Sequence, residues 1–176
     1  AALLTGCYPN RIGIHGALSP DVRNAVMAID KVQWYPRRYC EQLLAQIALL
    51  HSPDDDASYA ALVGVGRQMA KNATNSFLRL FMKIMTPSLF ARKANDLWTR
   101  DHREGTMSVD TEAIDRGAMT VHLRGIEGYE YFGPVAVGFL AFALETMGKR
   151  NVEVTLAGWS MQNPTPPETA YHVKWK

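Results

Sequence analysis

Five histidines, two cysteines and one acid on an apolar stretch are the residues of this chain best able to do chemistry, and their spacing assembles no site. His15, His51, His102, His122 and His172 are scattered, with no pair at the three- or four-residue spacing that puts two imidazoles on one helix face. Each is expected at a solvent-facing or strand-edge position. Cys7 and Cys40 match no metal-binding spacing and suit a reducing compartment. Glu145 has no evident basic or acidic partner, whereas a general acid or base needs a positioned second group. Gly64-Val65-Gly66-Arg67-Gln68-Met69 begins like a dinucleotide loop, but Met69 stands where the third glycine belongs and no strand precedes it. Two glycines inside a helix instead let another element approach closely, at a cost of about 1 kcal/mol each relative to Ala. No catalytic residue, metal site or cofactor is expected, and the chain is read as a non-enzyme.

Binding chemistry is better represented. Between Asn75 and Arg103 stand Arg79, Lys83, Arg92, Lys93, Arg100 and Arg103 against Asp96 and Asp101. Arg79 and Lys83 share a helix face opposite Phe77, Leu78, Phe81, Ile84 and Met85, an arrangement that can lie on an anionic membrane surface or a phosphate backbone. No aromatic residue is interleaved among the charges and the formal net charge is only +2, so a solvated helix face is the commoner explanation and nucleic acid is not an expected partner. Aromatic and methionine side chains are plentiful: Phe77, Phe81, Met82, Met85, Phe90, Trp98, Phe139 and Phe142 all fall on expected helices. They make an ordinary core or, alternatively, an apolar pocket between helices and sheet, with methionine as an adaptable wall. The pocket walls are assigned to Phe77, Phe81, Trp98, Phe139 and Phe142, with an apolar small molecule as the guest. A homodimer or protein partner meeting an exposed strand edge or the Arg79/Lys83 face is the competing use of the domain.

The elements that must position these residues follow from period and punctuation. With 176 residues, 47% of them hydrophobic and 20% charged, the chain suits one soluble domain burying roughly 70% of its unfolded surface. No run approaches the roughly 18 apolar residues of a membrane span, and a cytoplasmic location is expected. Ser19-Pro20-Asp21 starts a first helix to about Ile29 by capping hydroxyl, first-turn proline and acid at the positive dipole end. Trp34-Tyr35-Pro36 opens a second, to about Leu50; the acids of 54–56 cap a third, from about Ala57 to Asn72. A short apolar fourth spans about Ser76 to Met85, and a fifth runs from Pro87 to a left-handed cap at Gly105. After Gly105 the period becomes two. Met107 and Val109 form one strand, Asp115-Arg116-Gly117 turns the chain, and Met119, Val121 and Leu123 form an antiparallel partner. A helix from about Pro134 to Met147 is closed by Gly148, and strands at Val152–Leu156 and Tyr171–Trp175 flank the loop Asn163-Pro164-Thr165-Pro166-Pro167. The order predicts an α+β fold, with helices packed on one face of a small, mainly antiparallel four-stranded sheet.

Residues 1–18 and the remainder resemble different families. Leu3-Leu4-Thr5-Gly6 and the residues after it resemble the end of a sulfatase signature, entered just past its arginine, so that the nucleophile and metal-holding residues of that family are absent. Cys7 follows the Thr-Gly pair and is not that nucleophile. The segment is expected to be an inactive remnant, and the missing initiator Met fits a fragment. Residues 19–176 are similar to the bacterial domain-of-unknown-function family 2378, through Trp34-Tyr35-Pro36, Gly66-Arg67, Leu97-Trp98 and Gly138-Phe139. The run Gly133-Pro134-Val135-Ala136-Val137-Gly138-Phe139-Leu140, with Val152-Glu153-Val154 and Tyr171-His172-Val173, also resembles the 4-vinyl reductase domain. That domain belongs to the ligand-binding superfamily shared with nitric-oxide-signalling and Golgi-trafficking proteins. The resemblance implies a single sensory or small-molecule-binding domain. The cysteines that the 4-vinyl reductase domain carries near its last strands are missing after Cys40, so no metal site is carried over.

Overall fold

The structure is a computed structural model describing residues 18–27, 36–73, 82–126, 130–157, 159–160 and 168–176. In chain order they form α1 (Pro20–Met27), α2 (Arg37–Leu49), α3 (Asp55–Ala73), α4 (Pro87–Asp101), β1 (Thr106–Asp110), a 3-10 turn (Ile114–Arg116), β2 (Ala118–Arg124), α5 (Phe132–Thr146), β3 (Glu153–Ala157) and β4 (Glu168–Lys174). The α+β order expected from the sequence is the order observed. Part of the expected fourth helix, the loop 163–167 and the sulfatase-like residues 1–17 lie outside the described residues; Leu18 packs with Val22 and Leu43.

The four strands form one antiparallel sheet in the order β1-β2-β4-β3. Strand alternation sorts its faces. Met107 pairs with Leu123, Val109 with Val121, Val121 with Tyr171 and Leu156 with Tyr171, all on the inner face. Ser108, Asp110, Glu153, Thr155, His172 and Lys174 face outward and are exposed. The C-terminal strand therefore sits inside the sheet, and Met119, Val121, Leu123, Tyr171 and Val173 give the helices a nearly dry floor. A strand buried between two neighbours satisfies its backbone on both sides, which fixes the register firmly.

On that floor lies α5, apolar around most of its circumference, with ten of its residues buried. A helix hydrophobic on all sides must be covered on all sides. The sheet covers one side and α3 the other, and the α3–α5 crossing is closer than side chains permit. A Cβ on Gly66 would stand 2.7 Å from the carbonyl carbon of Val135, and one on Gly138 2.9 Å from the backbone nitrogen of Arg67. The glycine pair expected to admit a close neighbour does so at Gly66, whereas Gly64 faces open space.

Two details depart from the sequence expectation. The helix starting at Pro87 ends at Asp101, four residues before Gly105, because the chain turns extended at His102 (φ −133°, ψ 137°). Gly105 is left-handed, with φ 76°, for another reason: a Cβ there would meet the Ile126 side chain at 2.6 Å and Arg124 O at 2.9 Å, so it lets β1 start against the end of β2. Glu145 has a partner after all: its Oε2 accepts from Arg67 Nη2 across the α3–α5 crossing. The two lie 78 residues apart in sequence, beyond any local pattern.

Candidate functional site

The candidate site is a cavity of about 130 Å³ between α4, α5 and the inner face of the sheet. Its wall is almost wholly apolar: Phe90, Leu97 and Trp98 from α4, Val135, Ala136, Phe139, Leu140 and Ala143 from α5, and Met107, Val121, Leu123 and Tyr171 from the strands. Met69, Met82, Met85 and Met147 contribute four unbranched, polarisable side chains, which repack around guests of different shape more readily than branched ones.

Local structure explains the wall. Pro87 is the first residue of α4 and Thr86 caps it, its hydroxyl accepting from Leu89 N at 3.2 Å. That start sets Phe90, Ala94 and Trp98, spaced four apart, on the buried face. The Trp98 indole donates to Glu104 O at 2.8 Å, which fixes the ring and satisfies its one polar atom. His102, just past the helix, stacks on Trp98 with ring centroids 3.7 Å apart, while Phe132 approaches both edge-on at 5.9 Å. Its Nδ1 lies 3.1 Å from Trp98 O. His102 is thus part of the cavity wall, half-buried, where the sequence placed it toward solvent.

Of the residues assigned to the pocket from sequence, Trp98 and Phe139 line this cavity. Phe142, one turn further along α5, is half-buried and is not among the lining side chains. Phe77 and Phe81 lie outside the described residues, as does Arg79, while Lys83 is exposed. The sequence reading missed His102, Arg100, Met69 and Tyr171. Only Tyr171 left a signal: it occupies a core-facing position of an alternating strand, where its hydroxyl is out of character.

Titration behaviour fits an apolar interior. Burial pushes the Cys40 thiol up to about 12, with the neighbouring Glu41 carboxylate adding to the effect, so the thiol stays protonated and unreactive at neutral pH. Burial also drives the Tyr171 phenol far above its ordinary range. Among the described residues no group of three or more His, Cys, Asp or Glu side chains could hold a metal ion, and no helix is long and apolar enough to cross a membrane. A second hollow, about 500 Å³, lies on the outer sheet face; Asp110, Glu112, Arg116, Glu153, His172 and Lys174 line it. It is broad, open and of mixed charge, and gives a small molecule little enclosure.

No protein-family model and no curated protein sequence matches the chain. Solved structures do. An H-NOX protein from S. oneidensis in the Fe(II)NO ligation state superposes with a TM-score of 0.63 at 8% identity, covering 99% of this chain and 98% of its own. An unliganded Fe(II) H-NOX protein from K. algicida gives 0.67 at 10% identity, over 94% of this chain and 85% of its own. A third, solved in work on modulating heme redox potential through protein-induced porphyrin distortion, gives 0.61 at 11%, over 98% and 93%. The chain therefore has the H-NOX fold. Neither family 2378 nor the sulfatase signature is matched by a family model.

Proposed function

We propose that this chain is a non-enzymatic, small-molecule-binding sensory module whose guest occupies the apolar cavity between α4, α5 and the sheet. The observation that carries the proposal is the cavity itself: set between α4, α5 and the sheet, walled by aromatic and methionine side chains, and placed in a fold whose solved examples include Fe(II) proteins. Trp98 and Phe139 supply the flat walls, and the methionines supply the adaptable one.

A haem is the group the solved neighbours suggest, and the space between these walls does not fit it. His102 offers a ligand nitrogen and Arg100 a cation, both on the wall. The space, however, is about 130 Å³, and an apolar cavity of roughly 150 Å³ holds one benzene. A macrocycle of four pyrrole rings needs several times that. The guest supported by these walls is compact, neutral and no larger than one ring with a short substituent.

Titration of the purified chain with toluene, followed by calorimetry, tests the proposal. One saturable site is expected, lost in Ala143→Leu, whose isobutyl group occupies the cavity without disturbing the exterior. Saturable binding that survives Ala143→Leu unchanged refutes this cavity as the site.

A further inference from the structure

We infer that the methionines lining the cavity are its specificity-determining residues, their thioether sulfurs selecting an aromatic ring over a saturated ring of the same volume. The inference rests on the cavity being the binding site, and it narrows the compact neutral guest to a single arene with at most a short substituent.

The methionines are not spread through the interior. Among the described side chains, Met69, Met82, Met85, Met107 and Met147 line this cavity and Met119 alone does not. They arrive from four separate segments, namely α3, the stretch before α4, β1 and the end of α5, so no local run of sequence brings them together. Elsewhere the helices pack through branched side chains: Leu44, Ile47 and Leu62 join α2 to α3, and Val22 and Leu43 join α1 to α2.

A buried methionine loses more rotamer freedom than a buried leucine or valine, so a wall that had only to be oily would form at lower entropic cost from branched residues. Tolerance of shape accounts for flexible side chains, yet it serves a saturated guest and an aromatic one alike. The sulfur tells them apart. A thioether about 5 Å from an aromatic ring, often at its edge, is attracted to it, and a cycloalkane offers no such partner. Each contact of this kind is worth about twofold to tenfold in affinity. Phe90, Trp98, Phe132 and Phe139 share the wall and favour the same guest, because rings attract one another edge to face. Phe132 already meets Trp98 in that way, with centroids 5.9 Å apart and planes 79° apart. A space of about 130 Å³ admits one ring and holds it against side chains of both kinds.

The experiment titrates toluene and cyclohexane, nearly equal in volume, into the full chain and into the same chain made with norleucine at all eight methionines, each reading taken by calorimetry. Norleucine puts a methylene where each sulfur was and leaves the side-chain shape nearly unchanged. The expected result is that toluene binds the unsubstituted chain more tightly than cyclohexane does, although cyclohexane leaves water more readily, and that norleucine lowers the toluene-to-cyclohexane affinity ratio by at least about fivefold. Where circular dichroism shows the norleucine chain unfolded, the volume-conserving Met85→Leu and Met147→Leu replace it, each lowering the ratio by at least about twofold. A ratio that moves by less than these amounts, or cyclohexane binding the unsubstituted chain as tightly as toluene or more so, overturns the inference and leaves the cavity reading intact. Failure of both probes to bind the unsubstituted chain removes the cavity reading, and this inference with it.

Discussion

Replacing three glycines by alanine, one at a time, measures how strongly the fold depends on the α3–α5 crossing. Gly64 and Gly66 lie on the same helix and differ only in what faces them: open space for one, the Val135 backbone for the other. The intrinsic gain from Gly to Ala in a helix is about 1 kcal/mol and is common to both. At Gly66 the new methyl would overlap the Val135 carbonyl, and at Gly138 the Val63 carbonyl. The obstruction is backbone, so no rotamer change relieves it. The helices must part by about 1–1.5 Å, loosening close packing along the crossing, and such overpacking costs typically about 1–3 kcal/mol and occasionally more. Gly64→Ala is therefore expected to stabilise by about 0.5–1 kcal/mol. Gly66→Ala and Gly138→Ala should destabilise by a net 1–3 kcal/mol (about 2–10 °C in melting temperature for a domain of this size). Urea unfolding followed by tryptophan fluorescence and circular dichroism reads all three. Should Gly66→Ala prove as stable as Gly64→Ala, the backbone-to-backbone crossing is wrong.

Two further expectations follow from local geometry. Thr86→Ala removes the hydroxyl that accepts from Leu89 N and should cost about 1 kcal/mol, with Thr86→Ser retaining most of the stability in the same urea assay. Cys40 binds its proton up to about 12 in the folded chain against 9.0 for an ordinary thiol, so the folded state holds more protons between those values. Stability from this group is complete below pH 9 and is lost as pH rises toward 12; in a Cys7→Ser background, Cys40→Ala should flatten that alkaline fall, and an unchanged pH profile counts against the buried thiol.

Periodicity carried the sheet and most of the helices. Met119, Val121 and Leu123, like Tyr171 and Val173, alternate cleanly because one sheet face is dry and the other wet, and that contrast is written into every second residue. Strand order was not legible. Insertion of the last strand between β2 and β3 is a choice among non-local pairings, and any of them satisfies the same alternation. The end of α4 was misplaced because a glycine with positive φ marks a turn or a close approach as readily as a helix cap. The site was legible only as an excess of aromatic and methionine residues. His102 reaches the cavity through its stack on Trp98, four residues back, and Tyr171 reaches it from a strand 39 residues beyond Phe132. The first spacing is local but straddles the end of α4, and the second is non-local.

Helices held apart by side chains can slide or tilt as those side chains change rotamer, but α3 and α5 meet at bare backbone and have no such cushion. The rear wall of the cavity is consequently stiff. The opposite wall is built differently, from the methionines and Trp98, whose side chains and not backbone make the contact. The glycine seam thus fixes one side of the cavity as rigidly as backbone can, and leaves adjustable side chains to the other.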